Sequence, residues 1–74
     1  MKTLKELRQD AGLTQKELAN LISLTVPVSR GTVAVWENTN VCPEYPVVKR
    51  LAEIFVQPVD KIYEIFYHKD EVAQ

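Results

Sequence analysis

The sequence predicts an all-α domain of five short helices, and three observations carry that prediction. Apolar residues recur at three- and four-residue spacing in five successive segments. Each segment opens on a helix-start signal: Thr-x-x-Glu at Thr3–Glu6 and again at Thr14–Glu17, then Ser29, Pro46 and Pro58. The stretches between segments carry breakers, among them Gly12, Pro27 and Pro43. Only the run Leu24–Val28 could pass for a strand, and it has no partner to pair with.

The first segment follows the Thr3/Glu6 capping box, in which each side chain satisfies the other residue's orphan amide. Leu4, Leu7 and Ala11 then keep helical spacing and Gly12 supplies a left-handed stop, so the helix spans Leu4 to Ala11. Thr14 and Glu17 repeat the box. Leu13 and Leu18 stand at the two positions of a hydrophobic staple, and Leu18, Leu21 and Ile22 continue the apolar face. The second helix runs from Gln15 to Ser23 or Leu24. Residues 25–28 are β-branched around Pro27 and unsuited to helix. Ser29 caps the third helix, Arg30 to Asn38, with Val28 and Val33 at staple positions, and Thr39–Pro43 reads as a loop. Pro46 suits the first turn of a fourth helix carrying Val47, Val48, Leu51, Ile54 and Phe55. Pro58 opens a fifth helix, lined by Val59, Ile62, Ile65 and Phe66.

The chain has 74 residues, enough for one domain with a small core. The expected division is a domain over residues 1–68 and a polar, fraying tail over 69–74. No apolar run approaches the length of a membrane span, and the first residues lack the apolar region of a signal peptide. The single Cys42 has no internal disulfide partner, which fits a reducing cytoplasm. One His (His68) and one Cys, far apart and without metal-ligand spacing or a glycine-rich phosphate cradle, argue against an enzyme. No cofactor, metal or small-molecule ligand is expected. The net charge of −1 votes weakly against nucleic acid, because strongly basic domains gain affinity by releasing counterions. A local basic face suffices, so the balance is not decisive.

The second and third helices form the informative unit, since two short helices joined by a turn present the second to a major groove. Leu4, Leu7, Arg8, Gly12, Leu13, Thr14, Gln15, Glu17, Leu18 and Ala19 together resemble the opening of the phage repressor and Cro (XRE-type) helix-turn-helix DNA-binding family. Val28, Ser29, Arg30, Gly31, Thr32, Val33, Trp36, Glu37 and Asn38 resemble its recognition helix, and Pro43, Leu51 and Ala52 its fourth helix. The resemblance covers residues 3–66. It implies a repressor-like five-helix domain whose third helix enters the major groove of double-stranded DNA, and a role in transcription regulation as a repressor.

The resemblance implies roles residue by residue. Gln15 contacts a backbone phosphate at the start of helix 2, with Lys16 beside it; the other reading is a solvated first-turn glutamine. Ala19 lets helix 3 approach helix 2, and Val33 and Trp36 hold helix 3 from its inward face. Arg8 and Glu37 form a salt bridge from helix 1 to the end of helix 3; the alternative puts Arg8 on the surface against phosphate. The 3.6-residue period turns Gly31, Ala34, Val35 and Asn38 outward beside Thr32, with Arg30 at the edge. Arg30 reads a guanine or clamps a phosphate, Ala34 and Val35 offer apolar contact to a thymine methyl, and Asn38 bonds phosphate.

Two features depart from the family pattern. The turn between helices 2 and 3 is several residues longer than usual and lacks its glycine, so either helix 2 gains a turn or the loop bulges. The loop after helix 3 has no lysine or arginine. Fewer phosphate contacts predict modest affinity for one subunit, which a homodimer on paired half-sites offsets. Ile62, Tyr63, Phe66 and Tyr67 on the wide apolar face of helix 5 are the candidate dimer surface; the alternative is that the core absorbs them. The competing function is a protein-interaction module or antitoxin-type partner built on the same fold.

Overall fold

A computed structural model describes residues 2–39 and 41–67, ordered α1 (Leu4–Asp10), α2 (Gln15–Ile22), α3 (Arg30–Thr39), α4 (Tyr45–Phe55) and α5 (Val59–Tyr67). Among the described residues every regular element is a helix, as the periodicity predicts. The polar tail expected after residue 68 lies outside the described residues, as do His68, Met1 and Asn40.

Local chemistry sets the helix ends. At α1, Thr3 Oγ1 accepts from the Glu6 N–H at 3.2 Å and Glu6 Oε1 accepts from the Thr3 N–H at 2.8 Å. Thr14 and Glu17 make the same exchange at α2, at 3.0 and 2.8 Å. At α3, Ser29 Oγ accepts from the Thr32 N–H at 3.2 Å. α1 stops in a Schellman arrangement: Gly12 sits at φ 74°, its N–H reaches Gln9 O at 3.0 Å, and the Leu13 N–H reaches Arg8 O at 3.1 Å. α4 stops the same way, with the Gln57 N–H on Ala52 O at 2.9 Å, but the left-handed position is held by Val56 at φ 54°. A β-branched residue there crowds its Cβ against the following carbonyl and is strained.

The helices bury one shared core. α2 lies against α3 and α4, α4 pairs with α5, and α1 meets α3. Leu18 and Ile22 of α2, Val33 of α3, Val48 and Leu51 of α4 and Ile62 of α5 are completely buried. Burial of each such side chain contributes about 1.5–3 kcal/mol, and this outweighs the poor intrinsic helicity of α3, which contains Gly31 and four β-branched residues in Thr32, Val33, Val35 and Thr39.

Two expectations are resolved by this packing. Ile62 and Phe66, read as dimer candidates, are 0% and 1% exposed and belong to the subunit's own core. The core takes up most of the apolar stripe of α5, leaving Tyr63 half-buried and Tyr67 exposed at its edge, with ring centroids 6.4 Å apart. In the long turn, α2 ends at Ile22 and the loop bulges instead of extending the helix. Ser23 closes that bulge: its hydroxyl donates to Val28 O at 2.9 Å and accepts from the Val28 N–H at 3.1 Å. The ends of the excursion are thereby pinned together, with Leu24 exposed at its tip and Val26 tucked against the core.

Candidate nucleic-acid interface

The site is built around one buried carboxylate. Glu37, near the end of α3, accepts from Arg8 Nε at 2.6 Å and Arg8 Nη2 at 3.2 Å, a two-pronged pair. The Gln15 amide nitrogen donates to the same carboxylate at 3.0 Å. The remaining arm of Arg8 donates to Leu13 O at 2.8 Å. The side chains of Arg8 and Glu37 are 10% and 2% exposed. One network therefore ties α1, the α1–α2 turn, the first residue of α2 and the last turn of α3. Among the described residues no buried side-chain nitrogen or oxygen lacks a hydrogen-bond partner.

This geometry orients α3. Val33 and Trp36 of α3 and Ala19 of α2 are buried in the shared core. The opposite side of α3 is open: Arg30, Gly31 and Asn38 are exposed and Val35 is 51% exposed. Ala34 and Thr32 are only half-buried flanks of that face, and the Thr32 hydroxyl lies 3.1 Å from that of Ser29. A Cβ placed on Gly31 would meet nothing closer than Ser29 Oγ at 3.7 Å, so the fold of the subunit itself does not require glycine there. Lys16 is exposed beside the α2 N-terminus, where the capping box engages the amides of Thr14 and Glu17 and leaves those of Gln15 and Lys16 outside it.

The structure thus brings Gln15, Glu37 and Arg8 together and leaves Lys16, Arg30, Gly31, Val35 and Asn38 on the surface. The engagement of Gln15 by Glu37 was not visible in the sequence, since the two residues are 22 apart and no local pattern links them. A further residue was missed altogether. Arg50 of α4 donates from Nε to Leu21 O, at the end of α2, at 3.0 Å. Its partner is a backbone carbonyl 29 residues upstream, a target that no side-chain pattern signals.

A family model described as a helix-turn-helix domain matches residues 2–61. No curated protein and no solved structure matches the chain. The matched span contains α1 to α4, the start of α5, the Arg8–Glu37–Gln15 network and the open face of α3. The chain belongs to the helix-turn-helix domain family, a family of DNA-binding domains.

Proposed function

We propose that this chain is a sequence-specific, double-stranded DNA-binding repressor of transcription that seats α3 in the major groove. The observation that carries the reading is the combination of a rigidly held α3 with a solvent-facing side left uncommitted by the fold. Arg30 is the long donor on that side and reads a guanine edge or a phosphate, while Ala34 and Val35 meet thymine methyls. Gln15 has a second amide hydrogen beyond the one given to Glu37, and with Lys16, Asn38 and the first-turn amides of α2 it contacts phosphate. Thr32 and Gly31 shape the approach.

The loop before α4 contributes no cation, so one subunit makes few phosphate contacts. A homodimer on paired half-sites supplies the missing affinity. With Ile62 and Phe66 in the core, the α5 dimer reading now rests on Tyr63 and Tyr67. The reading places the protein in the cytoplasm, and no helix among the described residues is long and apolar enough to cross a membrane. A protein-interaction or antitoxin-type role is the second reading, favoured by the exposed Val35, Val41 and Tyr45 on α3, in the loop after it and at the start of α4.

Selection of bound duplexes from a random pool, at a series of salt concentrations, separates these readings. The expected result is enrichment of two half-sites about 10 base pairs apart, with affinity falling steeply as salt rises. No retained duplex at about 50 mM salt overturns DNA binding and leaves the protein-partner reading.

A further inference from the structure

We infer that Arg50 is a positioning residue for the recognition helix, acting by clamping the end of α2 from which the bulged turn departs. α2 has no basic residue in its last turn to meet its orphan carbonyls. Arg50 reaches over from α4 and supplies that charge, donating to Leu21 O at 3.0 Å. The backbone alternative is weaker, because the Leu24 N–H approaches the same oxygen only at 3.4 Å. The guanidinium is itself held: its side chain is 19% exposed, and Nη1 lies 3.3 Å from Glu53 Oε1 one turn along α4.

The clamp matters because the bulged turn, residues 23–29, leads directly into α3. The turn is otherwise tied by the Ser23–Val28 closure and by Ile22 O, which accepts from the Thr25 N–H at 3.0 Å, the Val26 N–H at 3.0 Å and the Thr25 hydroxyl at 3.2 Å; Leu21 O, one residue earlier, is the carbonyl that Arg50 serves. A loosened Leu21 frees the excursion at its root, and the first turn of α3 with Arg30 and Gly31 moves with it. Sequence is read at the base edges by the first turn of α3, whereas phosphate contacts made from elsewhere on the domain carry no sequence information directly. Arg50 therefore supports discrimination between sequences more than attraction to DNA. This functional role rests on the DNA-binding reading above; the structural role stands without DNA.

The test uses Arg50→Met, which keeps the stem and removes the donors, Arg50→Lys, which keeps a charged donor, and Glu53→Ala, which spares the Leu21 bond. Amide hydrogen exchange is read in the free full chain, and the affinity ratio for a selected duplex against a scrambled one is read across a salt series. In Arg50→Met the amides of Leu24, Thr25 and Val26 are expected to exchange about tenfold faster relative to mid-helix amides of α5. The affinity ratio falls about tenfold while the salt slope stays that of the parent. Arg50→Lys recovers most of both effects, and Glu53→Ala, which loosens the guanidinium but leaves its bond to Leu21 O, changes both in the same direction by less than Arg50→Met. Turn amides that keep the parent rate, or that accelerate only in step with α5, overturn the clamp. A loosened turn with an unchanged affinity ratio overturns the specificity role. If the parent protein binds neither duplex, the DNA-binding reading and the specificity role both fail, and the exchange comparison alone decides the clamp.

Discussion

Replacement of Glu37 by alanine is the sharpest perturbation of this fold. The substitution removes the acceptor of three hydrogen bonds and strands the Arg8 guanidinium in a site where its side chain is 10% exposed. Leu13 O remains its one protein partner. Breaking a buried pair from one side costs about 3–5 kcal/mol, because the surviving charge stays desolvated and uncompensated. Arg8 keeps one carbonyl and a little solvent, which places the loss near the lower end, about 3 kcal/mol. A domain of 74 residues has about 4–11 kcal/mol in total, so the variant loses a large share of its margin. The corresponding drop in melting temperature is about 12 °C or more. Trp36 adjoins Glu37 and is the only tryptophan, so urea unfolding followed by its fluorescence and by circular dichroism reads the change. A companion Arg8→Met, Glu37→Met chain removes both charges and recovers a substantial part of the loss. A loss below about 1 kcal/mol for Glu37→Ala, the range of an exposed ion pair, refutes the reasoning. So does a double variant no more stable than the single one.

Three further outcomes are expected. Arg30→Ala weakens binding to a selected duplex by about 1–3 kcal/mol while leaving the melting temperature unchanged; an undiminished affinity removes Arg30 from base reading. Val56→Gly relieves the left-handed strain at the end of α4 and raises stability by about 0.5–1 kcal/mol, after allowance for the greater chain entropy of glycine, and a neutral or negative change in a thermal melt contradicts the strain. Phe66→Ala destabilises the subunit by about 3–5 kcal/mol, whereas Tyr67→Ala changes monomer stability by about 0.5 kcal/mol or less. If sedimentation shows a dimer in the parent, its weakening in Tyr67→Ala supports the α5 surface, and an unchanged dimer places the contact elsewhere.

Much of the candidate site was legible because its scaffold is written in local chemistry. Thr3 with Glu6 and Thr14 with Glu17 are pairs three residues apart, so the first two helix starts follow from sequence spacing alone. Ser29 and Gly12 act within a single turn of chain in the same way. The inward placement of Val33 and Trp36 follows from the helical period. The helix-turn-helix resemblance in turn rests on this local pattern.

Tertiary structure alone decided the long-range choices. Sequence could not say whether the extra residues after α2 lengthen a helix or bulge, because that depends on Ser23 meeting both backbone groups of Val28. It left the fate of Ile62 and Phe66 open, because a wide apolar face is compatible with a core or with a partner until the opposing helices are in place. The stop of α4 at Val56 carries no glycine signal; the hydrogen bonds of that turn and the packing of α4 on α5 impose a conformation that valine disfavours. The sharing of Glu37 by Gln15 and the reach of Arg50 to Leu21 O span 22 and 29 residues. Helix starts are decided within one turn of backbone, and so a sequence pattern contains them. The network that holds α3 in place is decided by where the helices cross.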